Sequence, residues 1–313
     1  MAGNGNRLDD AARAAWLYYI AGNTQEEIAA KLGVSRQSAQ RLVSQAMAAG
    51  LVKVRIDHPI AECLRLATDL KARYDLQFCD IVPSGLDSDS TTIGIAEAAA
   101  TEIERWLTRE DPIVLTIGTG RTLKAAVECL PRIDCPHHTV VSLTGNISPD
   151  GAAAYYNVVF TLASVVTAKT FPMPLPVIAS SASERKMLHD QKIVRSTLAM
   201  AERADVSFLG IGELGESAPL YVDGYITHDE LLALQKTGAV GEIVGWAFDA
   251  DGEIIQGLTN ERVASAAIPS RDTSLVIGIA KGSVKRAAIR AAVAAGLVNG
   301  LITDEATARA LLA

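Results

Sequence analysis

The chain contains little cysteine, few aromatic residues and no long uninterrupted hydrophobic run. Its 313 residues include four cysteines and 5% aromatic residues. The cysteines form no CxxC pair and have no histidine at ligand spacing, so we expect free thiols, no metal site and no cofactor. The most apolar stretch, residues 152–168, is interrupted by polar side chains and is too short to span a membrane. With no segment resembling a signal peptide, we expect a cytoplasmic protein.

The familiar catalytic motifs are absent as well. The chain has no HExxH, no Walker A loop and no evident Ser/His/Asp arrangement. An overall positive charge is also lacking, since the net charge is −7. Residues 1–56, however, hold seven basic and four acidic side chains, a net +3, so the remaining residues carry −10. This division predicts that any contact with nucleic acid is confined to the N-terminal end.

Residues 25–42 fit the pattern of a helix-turn-helix. Ile28 and Leu32 are spaced to face a core from the first helix, and Ala29 is small where a second helix would cross it. Gly33 suits the left-handed backbone conformation at the end of that helix. An ordinary helical hairpin would explain the apolar positions equally well.

The turn and the second helix continue this pattern. Val34 is expected to fill the turn, and Ser35 is a good N-cap for the second helix. Ala39 and Leu42 return to the core. Because three constraints of the motif (a left-handed turn, a cap and an apolar core) are met together, the segment predicts a DNA-binding unit.

The second helix leaves a polar face pointing outward. No acidic residue occurs from Arg36 through Ala49, so this face is suited to base edges and phosphates. Two basic residues farther along are expected to contact flanking phosphates. The predicted DNA-binding residues are Ser35, Arg36, Gln37, Ser38, Gln40, Arg41, Ser44, Lys53 and Arg55.

A helix is predicted over residues 8–21, before the hairpin. Its Ala15, Trp16, Tyr19 and Ile20 are available to pack beneath the hairpin.

The segment after the hairpin contains the predicted domain boundary. Residues 51–56 alternate like a short strand, which gives the head a winged-helix-like character, and residues 57–59 break the chain. Residues 60–74 form an amphipathic helix that either packs on its own domain or pairs two subunits as a linker. We therefore expect a DNA-binding domain over residues 1–57, a linker helix over 58–75 and an effector-binding and oligomerisation domain over 76–313.

From residue 76 onward, short β-branched strands alternate with helices. Alternation of this kind predicts an α/β fold with a doubly wound parallel sheet. Ligands bind beyond the C-terminal strand ends in such folds. The predicted strands are QFCDIVP, PIVLTIG, HTVVSLTG, VSFLGIG and SLVIGIA, and the predicted helices cover residues 91–107, 123–130, 183–204, 228–235 and 284–295.

A Gly-rich loop between a predicted strand and a predicted helix is the first candidate ligand site. Its glycines permit close backbone approach, its threonines offer hydroxyls, and the following helix N-terminus favours an anion. Arg121 adds a charged donor for a phosphate or carboxylate. A tight structural turn would also require small residues here. The loop comprises Gly118, Thr119, Gly120, Arg121 and Thr122.

Four single residues at other strand ends are further ligand candidates. Asn146 offers an amide donor and acceptor, Glu213 and Asp249 offer acceptors, and Lys281 offers a cation for a phosphate. Structural turns are equally plausible at the first three positions. Lys285 and its neighbours Arg286 and Arg290 are expected on a solvated helix face. No metal-binding or catalytic residue is assigned.

Several segments together resemble the SorC family of sugar-binding transcriptional regulators over nearly the whole chain. They are the helix-turn-helix QEEIAAKLGVSRQSAQRLVSQAMAAGLV, the loop IGTGRTL, FLGIGE, GEIVGWAFDADG and the tail VIGIAKGSVKRAAIRAAVAAGLVNGLITDEATARALL.

The resemblance implies an effector domain related to ribose-5-phosphate isomerase and glucosamine-6-phosphate deaminase. It further implies a sugar, polyol or sugar-phosphate effector bound at the residues assigned above, and a homodimer or homotetramer that binds operator DNA. We expect a regulator of a carbohydrate or polyol catabolic operon. The alternative is a sugar-phosphate isomerase or deaminase with an appended DNA-binding domain, in which Glu213, Asp249 and Lys281 would supply the acid and base groups.

Overall fold

The structure, a computed structural model, describes residues 3–52, 60–85 and 92–313. The chain divides into two compact units, an N-terminal unit Met1–His58 and a C-terminal unit Pro59–Ala313. Among the described residues, no helix has both the length and the apolar character needed to cross a bilayer.

The described residues of the N-terminal unit, 3–52, form three helices. They are α1 (Gly3–Tyr19), α2 (Gln25–Leu32) and α3 (Arg36–Ala48). Thr24 caps α2 in a capping box with Glu27, and Gly33 ends it in the left-handed conformation (φ 65°). The predicted helix-turn-helix is present, with both of its helices in place.

Two expectations about packing around this hairpin are wrong: that residues of α1 lie beneath it, and that Val34 fills its turn. Trp16 and Ile20 are 58% and 71% exposed, and Tyr19 is exposed as well, so they do not pack beneath the hairpin. Val34 does not fill the turn either, because it is 36% exposed. Ile28 and Val43 are the larger buried side chains between the helices, and small buried side chains pack around them. These side chains are Ala11, Ala14, Ala15, Ala39 and Ala46.

The predicted wing falls mostly outside the described residues. Residues 51 and 52 have no strand structure, and residues 53–56 are not described.

The described C-terminal unit centres on a parallel sheet of seven strands. In spatial order they are β1 (Phe78–Val82), β10 (Gly300–Asp304), β9 (Leu275–Ile279), β5 (Val206–Gly210), β2 (Val114–Ile117), β3 (Thr139–Ile147) and β4 (Lys169–Pro176). All six pairings are parallel. The predicted parallel α/β fold and its five predicted strands are confirmed.

Two strands of the sheet were not predicted. Strand β4 contains three prolines, which are tolerated because it lies at the sheet edge. Strand β10 is buried along its whole length between β1 and β9, so it has no alternating pattern that would reveal it.

Helices cover both faces of the sheet, as expected for a doubly wound fold. Successive strand residues alternate between two cores, as Phe208 and Leu209 do on β5. The first core contains α4 (Ala61–Tyr74), α9 (Lys192–Ala201), α12 (Arg286–Ala294) and α13 (Glu305–Leu312). The second contains α5 (Ile93–Leu107), α6 (Arg121–Cys129) and α7 (Val158–Ala163).

Three predicted helices differ in detail from those observed. Residue 91, the first of the predicted α5, lies outside the described residues. The predicted helix 183–204 is interrupted where Gln191 adopts an extended conformation, and α8 (Ala182–His189) precedes α9. The predicted helix 284–295 begins as a 3-10 turn, Ser283–Lys285, before α12.

A small lobe follows β5. It comprises β6 (Gly212–Glu213), α10 (Pro219–Val222), α11 (His228–Lys236), β7 (Ala239–Ile243) and β8 (Trp246–Asp249). The three strands form an antiparallel sheet, and the two helices pack on it through a core of their own. We call residues 212–249 the lobe.

Helix α4, the predicted linker, packs within the C-terminal unit. Its Leu66 and Leu70 are buried in the core that α13 shares, and Tyr74 donates a hydrogen bond to the Leu311 carbonyl at 2.8 Å. Leu64 is 54% exposed on the opposite side. Packing on its own domain is therefore observed, and pairing of two subunits through the exposed side stays a prediction.

Candidate functional site

Helix α3 presents the predicted DNA-binding face. Ser35 caps the helix by accepting from the Ser38 backbone N–H at 3.1 Å, and its own hydroxyl donates to the Ser38 hydroxyl. Ser38 is consequently half-buried and turned toward the cap. The remaining described residues of the set, Ser35, Arg36, Gln37, Gln40, Arg41 and Ser44, are exposed. Lys53 and Arg55 lie outside the described residues.

Among the described residues, one ion pair touches this face. Arg36 lies 3.5 Å from Glu26 on α2, and both side chains are about seven-tenths exposed. An exposed pair of this kind contributes little to stability because water and salt screen it. Arg36 is therefore available to a phosphate or a base edge.

The C-terminal unit holds a cavity of about 620 Å³ at the C-terminal ends of its parallel strands. From β2 the chain continues to β3 and β4 on one side of the sheet, whereas from β5 it continues to β9 and β10 on the other. The loops after β2 and β5 thus diverge at a topological switch point, which is where open α/β sheets bind ligands. Residues from both loops line the cavity.

The Gly-rich loop after β2 forms one wall. Gly118 donates its N–H to the Phe208 carbonyl at 2.9 Å and lies beneath the lining, where a Cβ atom would come within 3.2 Å of Val244. The other four predicted loop residues, Thr119, Gly120, Arg121 and Thr122, line the cavity. Gly120 has φ 127°, which favours glycine, and no side chain caps the helix α6 that follows. The first N–H groups of α6 are therefore left for a ligand.

A second helical start faces the same cavity. Lys281 and Gly282 follow β9 and line it, and Gly282 has φ 107°. The Gly282 N–H donates to the Thr307 hydroxyl at 3.0 Å, which anchors the loop to α13. The structure therefore brings Lys281 into the same cavity as the Gly-rich loop.

Lys285 and Glu242 also line this cavity, and neither was predicted to do so. The expectation that Lys285 lies on a solvated face is wrong, because the 3-10 turn directs it inward, where it donates to the Ile211 carbonyl at 2.8 Å. Burial lowers the pKa of Lys285. Glu242 accepts from the Gly245 N–H at 2.8 Å, and desolvation by the surrounding protein raises the pKa of its carboxyl. Arg286 is exposed as expected, whereas Arg290 is half-buried and donates to the Ala310 carbonyl.

The lining of the cavity also carries neutral polar groups and a further carboxylate. Thr144, Tyr156 and Tyr225 line it together with Asp223 of the lobe. Burial raises the pKa of Asp223, although Arg121 acts in the opposite direction. Burial, and then the nearby Asp223 charge, raise the pKa of Tyr156.

Three of the predicted single residues do not line the cavity. Asp249 accepts from the N–H groups of Asp251 and Glu253 and so organises its own hairpin turn. Glu213 accepts from the Gly215 N–H and the Ser217 hydroxyl. The amide oxygen of Asn146 is buried and has no hydrogen-bond partner among the residues the structure describes, yet the residue lies outside the lining. Their role as ligand contacts stays an untested prediction.

No local pattern in the sequence marks Thr144, Tyr156, Asp223, Glu242 or Lys285. Each becomes a cavity residue only when the sheet order and the lobe bring distant segments together. The irregular register between Val141 and Gly145 on β3, a stretch that includes Thr144, was equally invisible in the sequence.

The cysteines form no disulfide. Cys63 and Cys135 are buried, whereas Cys79 and Cys129 are half-buried. Burial raises the pKa of the Cys63 thiol to about 11 and that of Cys79 to about 12. Within the described ranges, no group of three or more His, Cys, Asp or Glu side chains could hold a metal ion.

Comparison with known proteins covers both units. Residues 58–313 match the family model described as "Putative sugar-binding domain", and residues 6–55 match the model of a Homeodomain-like domain.

Two curated relatives span almost the whole chain. The erythritol catabolism regulatory protein EryD of Brucella abortus is 35% identical over 302 residues, which is 96% of each chain. The transcriptional regulator LsrR of Escherichia coli K12 is 31% identical over 310 residues, covering 97% of this chain and 94% of LsrR.

Solved structures share the fold. The full-length sorbitol operon regulator SorC of Klebsiella pneumoniae aligns with a TM-score of 0.73 at 23% identity, over 98% of this chain and 100% of SorC. All three of these proteins are named as regulators. They support the regulator hypothesis over the enzyme alternative, for which two of the three proposed acid–base residues, Glu213 and Asp249, also lie outside the cavity.

Proposed function

Because the chain belongs to the SorC family of sugar-binding transcriptional regulators, we propose that a phosphorylated polyol or sugar binds its cavity and thereby controls DNA binding by α3. We infer the class of effector from the side chains and backbone N–H groups that line the cavity. EryD is named for the catabolism of erythritol, a polyol, and this adds weight to a polyol phosphate.

The observation that carries this proposal is the convergence of positive groups on the cavity. Two helical starts, at Gly120 and Gly282, lack side-chain caps and face it. Arg121, Lys281 and Lys285 line it as well. Backbone N–H groups at a helix start together with cationic side chains are the usual means of binding a phosphate.

The Glu242 carboxyl offsets only part of this positive charge. Desolvation raises the pKa of its carboxyl, which favours the neutral, protonated form. A phosphate would meet Arg121, Lys281 and Lys285 as well as the carboxyls of Glu242 and Asp223. Burial raises the pKa of both carboxyls and lowers that of Lys285. A free polyol could use the same hydroxyl-binding groups, but it carries no negative charge for these basic side chains to bind.

For DNA, we propose that Arg36, Gln37, Gln40 and Arg41 contact bases and phosphates, with Lys53 and Arg55 on flanking phosphates. Two such faces, spaced by about 34 Å, are needed to contact successive major grooves, so the protein is proposed to act as a homodimer or homotetramer. Effector binding would favour one quaternary arrangement and so alter the spacing of the faces.

A ligand screen coupled to DNA binding tests this proposal. Polyols, sugars and their phosphates would be screened by thermal shift on the full-length protein, and the hits added to fluorescence-anisotropy titrations on DNA upstream of its own gene. We expect a phosphorylated compound to raise the melting temperature and to change DNA affinity. If only unphosphorylated compounds bind, the phosphate assignment is wrong.

A charge-removing variant locates the site. Lys281→Met should weaken binding of the phosphorylated compound found in the screen by about tenfold or more, because the bound anion loses a charge-assisted hydrogen bond. Lys236→Met, at the exposed end of α11, is the matched control and should leave the affinity unchanged. Equal affinities for both variants would place the phosphate elsewhere.

A further inference from the structure

We propose that an apolar stripe along α1 is an interface with a second copy of this chain, in which the two α1 helices pack antiparallel about a two-fold axis at Ala12. We call Leu8, Ala12, Trp16, Tyr19 and Ile20 the α1 stripe. This inference rests on the proposed assembly as a homodimer or homotetramer and names one surface that forms it.

The α1 stripe is exposed over about three helical turns. Its members recur at three- and four-residue steps, so they share one side of the helix. Leu8 and Tyr19 are 40% exposed, Trp16 is 58% exposed and Ile20 is 71% exposed. Single exposed apolar side chains are common on protein surfaces, but a contiguous row that includes tryptophan and tyrosine is typical of an interaction surface.

The hairpin leaves the α1 stripe uncovered because α1 packs on it through a different side. Ala11, Ala14 and Ala15 are the α1 residues buried in the two small cores of the N-terminal unit, and Ala39 and Ala46 lie in these cores from α3. The stripe contains none of the proposed DNA contacts. A partner on α1 and DNA on α3 therefore use different surfaces.

The spacing within the α1 stripe is self-complementary about Ala12. Leu8 and Trp16 each lie about 6 Å from Ala12 along the helix axis, in opposite directions. In an antiparallel pair with a two-fold axis at Ala12, Leu8 of each copy is therefore level with Trp16 of the other. Ala12 lies at the crossing point, where its small side chain permits close approach of the two helices.

The charged residues beside the stripe favour an antiparallel pair of identical helices. Asp9 and Arg13 are exposed, lie four residues apart and border the same edge of the stripe. About the axis at Ala12, Asp9 of each copy lies within about 3 Å, measured along the helix, of Arg13 of the other. A parallel pair would leave these residues on opposite sides of the contact and without a partner. The charges therefore indicate a second copy of α1, in antiparallel orientation, as the occupant.

One helix face is too small to hold two copies together unaided. Stable interfaces bury about 1,200–2,000 Å² in total, which is more than five side chains from each copy supply. We therefore expect the α1 contact to form within an assembly that other contacts also hold. Trapping the contact in the full-length protein tests it more sharply than dissociating an isolated unit.

A thiol placed on the axis tests the arrangement directly. Full-length Ala12→Cys under mild oxidation should give a disulfide-linked dimer on a non-reducing gel, because the axis brings the two introduced thiols together. The wild-type protein, with its four free cysteines, gives the background. Asp10→Cys, on the opposite side of α1, is the matched control and should not exceed that background. Equal cross-linking in both variants, or none above background in Ala12→Cys, overturns the proposal.

A second substitution tests whether the stripe itself holds the contact. Trp16→Asp added to Ala12→Cys should slow cross-linking by about tenfold or more, because the pair would have to bury an unpaired charge. Met187→Asp, at an equally exposed apolar residue on α8, should leave the rate unchanged. An unchanged rate with Trp16→Asp would show that the stripe takes no part.

A charge exchange tests the antiparallel register. In the Ala12→Cys protein, Asp9→Lys should slow cross-linking by about threefold, because it places a positive charge beside Arg13 of the second copy. Adding Arg13→Asp should restore the original rate. If the second exchange fails to restore it, the antiparallel register is wrong.

Sedimentation of the wild-type protein separates this inference from the proposed assembly. If the protein is monomeric, the proposed assembly fails and the α1 interface fails with it. If it is a dimer or tetramer and Ala12→Cys does not cross-link, only the α1 interface is overturned.

Discussion

Two helix starts, one in each unit, differ in how their first N–H groups are satisfied. Helix α3 begins at Ser35, whose side chain accepts from the Ser38 N–H, so one of these groups has a partner within the chain. Helix α6 begins at Gly120, which has no side chain to offer, and its first turn opens onto the cavity. We propose that the first helix contributes side chains to a ligand and that the second contributes backbone groups.

The difference shows how a helix start can serve either stability or binding. A cap stabilises the helix but competes with any anion for the same N–H groups. At α3 the proposed contacts are side chains that project from the helix, so capping does not hinder them. At α6 a cap would occupy the donors that a phosphate needs, and glycine leaves them unoccupied.

The largest expected effect tests whether α3 acts through its side chains. Replacing Arg36 and Gln37 together by Ala should lower specific DNA affinity by about 100-fold, because each base contact is worth about 1–3 kcal/mol. Fluorescence anisotropy at fixed salt, on specific and random DNA, measures the loss. Lys236→Ala, an exposed charge removal on α11, is the control. Unchanged specific affinity in the double variant would refute the assignment.

A smaller effect tests whether α6 acts through its backbone. Gly120→Ala should weaken effector binding by about tenfold, since an L-residue at φ 127° carries strain of about 1–3 kcal/mol and shifts the loop. Isothermal titration of the phosphorylated hit measures the change. Gly151→Ala is the matched control, because Gly151 also has positive φ (85°) but lies outside the cavity lining. A similar loss of binding in both variants would show that strain alone, and not the cavity, is responsible.

The smallest effect concerns the cap of α3. Ser35→Ala should destabilise the start of this helix by about 1 kcal/mol, because the Ser38 N–H loses its acceptor. Amide hydrogen exchange on the full-length protein should show faster exchange in the first turn of α3 and no change in effector affinity. Ser44→Ala, farther along α3, removes a hydroxyl that caps nothing, so its exchange should match the wild type. Unaltered protection in Ser35→Ala would mean that the cap contributes nothing.

Sequence reasoning succeeded where the determining interactions are local. The helix-turn-helix follows from a cap, a left-handed glycine and a few apolar positions within 18 residues, and all of these can be read along the chain. The Gly-rich loop after β2 was recognised for the same reason. The expected packing of Trp16 and Tyr19 was wrong, because the periodicity shows which residues share a helix face but not which neighbouring helix comes close enough to bury them.

Three residues of the cavity illustrate the limit of reasoning from sequence alone. Lys281 was found because it follows a recognisable strand. Lys285, four residues on, was assigned to solvent because its inward orientation depends on a 3-10 turn that has no distinct sequence signal. Asp223 belongs to the lobe, and its position beside Tyr156 results from the packing of that lobe on the strand ends.

By itself, the sequence determined the helix-turn-helix, the alternation of strands and helices and the glycine loop, because capping, periodicity and backbone freedom act over a few residues. The tertiary structure alone decided the order of the strands, and with it the switch point between β2 and β5 where the cavity lies. It also decided which charges share that cavity, because Arg121, Asp223, Glu242 and Lys285 are far apart in the chain. The order of the strands and the position of the lobe at the strand ends bring them within electrostatic reach of one another.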